Sequence, residues 1–173
     1  MSTSRILEPI CETNLGNSGV AETVLTFNAY IQNAAKLMES KGATVIISSA
    51  TPDNPCETGV CTATAGRFST YAHDSAAATG SGYVDHWSYV YQLDVKLGVT
   101  ATDAFYPNDH THTSPTGADY YAQAFVKGLS CGTASLKSYI NAAGNSVNGE
   151  ARLLRIDCKL TFLEQLVTAL VSL

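Results

Sequence analysis

Charge is scarce in this sequence. Asp, Glu, Lys and Arg make up only 14% of its 173 residues, and the balance is acidic, at −5. A polyanion such as nucleic acid or an acidic membrane surface is held by clustered Lys and Arg, so neither is an expected partner. Long apolar runs are missing too. No stretch reaches the roughly 18 apolar residues of a membrane-spanning helix. The opening Met1-Ser-Thr-Ser-Arg-Ile-Leu-Glu-Pro9 also lacks the apolar segment, about 7–15 residues long, of a secretory signal. Zinc-type CxxC spacing is absent: Cys56 and Cys61 are spaced CxxxxC, and no second close pair occurs. Five cysteines nonetheless fit an oxidised, secreted lineage better than a cytosolic one.

What is present suffices for one buried core, since 45% of the residues are hydrophobic. Residues 1–20 are rich in Ser, Asn, Gly and Thr, show no periodicity, and read as loop. From Glu22 to Lys41, Val24, Leu25, Phe27, Ile31, Ala34, Ala35, Leu37 and Met38 recur at helical spacing, and Gly42 stops the helix. Ala43–Ala50 follows as a β-branched apolar run, the pattern of a strand buried on both faces of a parallel sheet. Pro52 and Pro55 punctuate a loop from Thr51 to Gly66, and Arg67 to Ala78 reads as a helix. Tyr83–Trp87 reads as a second strand, followed by a helix from about Ser88 to Leu97. After a polar, irregular stretch from Gly98 to Thr113, Ser114 has the features of an N-cap, with Pro115 at the first helical position. An apolar face runs on through Tyr120, Ala124 and Phe125. Strand–helix alternation predicts an α/β layered domain, although only two strands are legible.

The densest group of reactive side chains is Asn108-Asp109-His110-Thr111-His112-Thr113-Ser114-Pro115, at the junction of a loop and a helix. An Asp three residues before a His can accept a hydrogen bond from the imidazole Nδ1. That fixes the tautomer, leaves Nε2 as a base, and stabilises the imidazolium formed in acyl transfer. Asp109 and His112 are therefore the candidate catalytic pair. Asp109-x-x-His112 followed by Thr-Ser-Pro-x-Gly, with a helix running to about Cys131, resembles the last motif block of SGNH (GDSL-type) hydrolases. The rhamnogalacturonan acetylesterase branch is closest in pattern, through Glu22-Thr-Val-Leu-Thr-Phe, Gly42-Ala-Thr-Val-Ile-Ile-Ser-Ser, Thr51-Pro-Asp-Asn-Pro and Tyr83-Val-Asp-His-Trp-Ser-Tyr-Val, covering residues 22 to about 138.

The resemblance implies a three-layer α/β/α sandwich on a parallel sheet, the flavodoxin-like SGNH fold. It makes Asp109 and His112 the acid and base of a triad that needs no metal or organic cofactor. It further implies an acetylated polysaccharide as substrate, a monomer, and an extracellular setting. The family's serine comes from a Gly-Asp-Ser turn after the first strand. Its oxyanion is held by that serine's N–H, a glycine, and an asparagine of Gly-x-Asn-Asp.

Neither motif occurs here, nor does a Gly-x-Ser-x-Gly elbow. The nearest lookalikes, Ser18 in Gly-Asn-Ser-Gly and Ser81 in Gly-Ser-Gly, read as turn chemistry. The expectation is thus the C-terminal part of an SGNH domain over residues 1–138, its N-terminal strands missing, with a divergent tail over 139–173. The 43–50 strand would then lack its inner neighbour, leaving an aggregation-prone edge. Two alternatives stay open: a non-catalytic remnant that keeps a carbohydrate-facing surface, or an SGNH esterase for another acetylated glycan or a lipid.

Other positions read more plainly. His110 could join Asp109 and His112 around a metal, though alternate loop residues rarely converge without further ligands. His86 and Trp87 lie at the sheet's carboxyl end, with Trp87 read as packing, while Asn54 and His73 read as surface residues. Cys56 stands where the family loop tends to carry tryptophan. Cys131–Cys158 and Cys56–Cys61 are the expected bridges, leaving Cys11 unpaired, and Leu160–Leu173 could form a packing helix.

Overall fold

The computed structural model describes residues 4–7, 24–132, 134–146 and 158. Cys11, Ser18 and Leu160–Leu173 lie outside them. In chain order the elements are β1 (Ser4–Leu7), α1 (Val24–Glu39), β2 (Thr44–Ser48), α2 (Arg67–Thr79), β3 (Gly82–Val84), α3 (His86–Leu97), α4 (Val99–Asp103), α5 (Pro115–Cys131), a 3₁₀ turn (Ser135–Tyr139) and α6 (Ala142–Ser146).

The strands pair in the order β1-β2-β3, all parallel. β2 is central and buried from Val45 to Ser48, as its unbroken apolar run predicts. Its two faces serve two layers. Val45 and Ile47 pack with Ala35 of α1 and with Ala72 and Ala76 of α2, while Ile46 and Val84 pack with Leu129 of α5 and with Ala134. That division makes an α/β/α sandwich. Ile46 and Ile47 are almost wholly buried, and each contributes about 1.5–3 kcal/mol of hydrophobic stabilisation. A third cluster, Tyr89, Val90, Leu93, Phe105, Tyr106, Tyr121 and Ala124, fills the space between α3 and α5.

Three features differ from the sequence reading. Ser4–Leu7 is a strand rather than loop, and it pairs with Thr44–Ile47. β2 is therefore hydrogen-bonded on both sides and lacks the bare inner edge expected of it. A run of four residues is too short to show the alternation that marks a strand. The second strand ends at Val84, because the Asp85 carboxylate accepts the Ser88 N–H and caps α3, drawing His86 and Trp87 into the helix. The stretch after Gly98 contains the short helix α4.

Elsewhere the local signals act as read. Gly42, at φ 79°, takes the left-handed conformation that lets the chain leave α1 for β2. The Ser114 hydroxyl accepts the Gly117 N–H, with Pro115 in the first turn of α5. Cys56 bridges Cys61, and Cys131 at the end of α5 bridges Cys158, the two pairings expected.

Candidate active site

Residues 106–113 form a loop between α4 and α5. Its neck is closed by the Ser114 N–H donating to the Phe105 carbonyl at 2.6 Å. The segment 51–55, which leaves the carboxyl end of β2, holds the loop from the other side: the Asn54 N–H donates to the His110 carbonyl at 2.7 Å. The loop thus sits beyond the carboxyl end of a parallel sheet, where open α/β folds place their ligand sites.

Asp109 divides its two oxygens between two tasks. Oδ1 accepts the backbone N–H groups of Thr111 (2.8 Å) and His112 (2.7 Å), which curls the loop into a turn. Oδ2 lies 2.9 Å from His112 Nδ1. A carboxylate only accepts, so Nδ1 carries a proton in this contact, and in the neutral ring the lone pair is then on Nε2. The His112 side chain is 76% exposed and that of Asp109 45%, which leaves Nε2 open to a reactant. The His112 N–H, then the Thr111 N–H, then the imidazole hold the Asp109 carboxyl down at about 2. Asp109 is therefore anionic through the neutral range and keeps its hold on the ring. Among the described residues, no Ser or Thr hydroxyl hydrogen-bonds the imidazole.

The remaining candidates separate by contact. His110 engages Asn54 through its backbone, and among the described residues no three His, Cys, Asp or Glu side chains converge as a metal site requires. Ser81 lies at the opposite, amino end of β3, hydrogen-bonded with Thr79 and donating to Glu39, which is turn chemistry. His86 is buried against the Tyr121 carbonyl at 2.9 Å and meets the Phe125 ring edge-on. Trp87 is buried and stacked on Tyr91, and its backbone N–H donates to the Ser49 hydroxyl. His73 is exposed beside Asp74. A cavity of about 490 Å³, bounded by Thr51, His86, Thr111, Thr113, Tyr121 and Phe125, opens beside the dyad.

Asn54 is no plain surface residue. Its Oδ1 accepts the Cys56 N–H at 2.9 Å, and its Nδ2 donates to Asp103 at 2.8 Å, tying the 51–55 segment to α4. Three further residues were missed altogether. Tyr121 Oη lies 3.0 Å from both carboxylate oxygens of the buried Asp94. Tyr106, the first residue of the loop, places its Oη 2.8 Å from Tyr121 Oη and 3.3 Å from the Pro52 carbonyl. A readable signal existed: an Asp among the core-facing positions Val90, Leu93 and Leu97 of an amphipathic helix demands a buried polar partner.

No family model matches the chain. A relative from Emericella nidulans, rhamnogalacturonan acetylesterase, is 48% identical over 130 residues. That alignment takes in 75% of this chain and 52% of the relative, so the chain spans about half the relative's length. Among solved structures, the crystal structure of protein YxiM from Bacillus subtilis matches with a TM-score of 0.62 at 19% identity, over 73% of this chain and 36% of that one. Along three quarters of its length, then, the chain is similar in sequence to rhamnogalacturonan acetylesterase, the branch of the SGNH hydrolases that its Asp109-x-x-His112 block resembles, on an α/β fold.

Proposed function

We propose that this chain carries the acid–base half of a serine-type ester hydrolase that removes acetyl groups from rhamnogalacturonan. One observation carries the reading: at the carboxyl end of the sheet, Asp109 holds Nδ1 of His112 at 2.9 Å and leaves an exposed Nε2. In such a reaction a serine hydroxyl attacks the acetyl carbonyl while Nε2 takes its proton. The tetrahedral adduct then expels the sugar oxygen, which receives that proton from His112. Water, deprotonated by the same nitrogen, releases acetate and restores the serine. Asp109 orients the ring and stabilises the imidazolium of each half-reaction. These steps call for no metal or organic cofactor. Two disulfides support a protein that matures in an oxidising, extracellular setting, and the likeness to a rhamnogalacturonan acetylesterase supports an acetylated polysaccharide as substrate.

The nucleophile is the missing part. Gly-Asp-Ser and Gly-x-Asn-Asp, the family's sources of the serine and of oxyanion donors, do not occur in these 173 residues. Each such donor contributes about 3 kcal/mol of transition-state stabilisation, so the chain by itself does not turn over esters at a useful rate. That absence also favours a second reading, a non-catalytic remnant with a carbohydrate-facing surface. A chimera distinguishes the two: this chain joined to the portion of the Emericella nidulans relative that it does not match. Release of acetate from acetylated rhamnogalacturonan, abolished by His112→Ala, supports the catalytic reading. A folded chimera that binds the glycan and releases none supports the remnant.

A further inference from the structure

Asp94 is fully buried and pairs with no Lys, Arg or His among the described residues. Its backbone is fixed, because its main-chain carbonyl accepts both the Gly98 N–H and the Thr102 hydroxyl. Its carboxyl meets one group, the Tyr121 hydroxyl. From there the contacts run to Tyr106 and on to the Pro52 carbonyl, crossing from α3 through α5 and the mouth of the active-site loop to the segment after β2. We propose that Asp94, Tyr121 and Tyr106 form a proton-dependent strut that fastens the 106–113 loop to the 51–55 segment when the Asp94 carboxyl is protonated.

Counting hydrogens gives the reason. Three contacts make up the chain: Asp94 to Tyr121, Tyr121 to Tyr106, and Tyr106 to Pro52. With the acid protonated there are three hydrogens for them. Asp94 donates to Tyr121 Oη, Tyr121 donates to Tyr106 Oη, and Tyr106 donates to the Pro52 carbonyl. With the acid ionised, only the two phenolic hydrogens remain. Tyr121 turns its hydrogen to the carboxylate, and Tyr106 must choose between Tyr121 Oη at 2.8 Å and Pro52 at 3.3 Å. The shorter contact wins, and the tie to the 51–55 segment is lost. An unsatisfied buried carbonyl then favours loosening of the segment.

The groups facing the strut leave Asp94 in control. On α5 the facing group is the Tyr121 phenol and on the loop the Tyr106 phenol, both pushed up by burial and therefore protonated throughout. From the 51–55 segment the Asp53 carboxylate acts on Tyr106, and α4 contributes only the neutral Thr102 hydroxyl. Burial, opposed by the Tyr121 hydrogen bond, pushes the Asp94 carboxyl up to about 7, so the strut opens near neutrality. That it positions His112 rests on the proposed function; that it exists does not.

Hydrogen exchange of the full chain tests this without reading activity. The Asn54 N–H, bonded to the His110 carbonyl across the junction, is the reporter, with the Thr111 and His112 amides beside it. Protection corrected for intrinsic exchange is expected to fall by about tenfold or more between pH 5 and pH 8, since each pKa unit separating closed and open forms changes their ratio tenfold. Asp94→Asn, whose amide supplies a permanent donor, should hold protection level across that range. Tyr106→Phe should lower it at both ends and remove the dependence. A flat wild-type profile overturns the proposal. So does an equal fall in Asp94→Asn, which would assign the effect to the loop's own histidines, His110 and His112. If Asp94→Asn does not fold, the wild-type and Tyr106→Phe profiles decide. Failure of the chimera to hydrolyse esters bears on the proposed function and leaves this readout untouched.

Discussion

Replacing Gly117 with Ala perturbs the site without touching either member of the dyad. The first turn of α5 passes so close to the loop that a Cβ at 117 would lie 2.8 Å from Phe105 Cβ, 3.0 Å from Phe105 Cγ and 3.1 Å from Thr113 Cβ. Ordinary contact begins at 3.4 Å, so both neighbours must retreat by several tenths of an ångström. Phe105 has little room, being buried between Tyr120 at 5.2 Å and Tyr121 at 6.1 Å, centroid to centroid. Thr113 is therefore the part that yields, and it is bonded directly to His112. Two effects oppose each other. Alanine is favoured over glycine within a helix by about 1 kcal/mol, less in a first turn. Overpacking costs about 1–3 kcal/mol, and here it wins. The variant should be destabilised by about 1–2 kcal/mol, lowering Tm by roughly 3–8 °C. The Thr111 and His112 amide resonances should shift as the loop is displaced. A higher Tm with unmoved resonances would refute the packing argument.

Breaking Cys131–Cys158, which closes 27 residues of sequence, should cost about 3.5 kcal/mol through the entropy restored to the unfolded chain; denaturant unfolding of Cys158→Ser measures it. Asp94 binds its proton more tightly when folded, so its stabilisation is complete below about pH 4 and is lost as pH rises to about 7. Urea unfolding should show a decline of at most about 4 kcal/mol over that window, flattened in Asp94→Asn. Asp109 has the opposite sign. Its carboxyl is held down, so the stability it confers is present above about pH 4 and fades as pH falls towards 2. The Thr111 and His112 amide shifts should titrate with a midpoint near 2, and a midpoint near 4 would show the turn to be open in solution. In the active chimera, His112→Ala should cost several orders of magnitude in kcat and His110→Ala little; equal losses would mean that the base has been misassigned.

Much of this was legible from local signals. The 3.6-residue periodicity of α1, the buried β2 run and the Ser114-Pro115 start of α5 each depend on neighbours in sequence. So does the dyad, because Asp109 and His112 are three residues apart and the turn between them is made by Asp109 itself. What the sequence concealed depends on contacts at long range. β1 is too short to show a period and exists by pairing with Thr44–Ile47. Trp87 follows β3 with a strand-like apolar pattern, but the Asp85 cap turns it into α3. Asn54 carries two ordinary loop signals, Pro52 and Pro55, which mask a side chain bridging 49 residues to Asp103. The Asp94–Tyr121–Tyr106 chain joins three elements, and only the misplaced charge on α3 hinted at it.

The 2.9 Å contact from Asp109 to Nδ1 requires that the neutral His112 ring carry its proton on Nδ1, with Nε2 ready to take another. Nitrogen-15 NMR of the imidazole, recorded on the chain itself at pH 8.5, reads the tautomer. The expected spectrum shows a protonated Nδ1 with a downfield proton, an unprotonated Nε2, and loss of this preference in Asp109→Asn. A ring found mainly as the Nε2–H tautomer, with the same spectrum in wild type and Asp109→Asn, would contradict it.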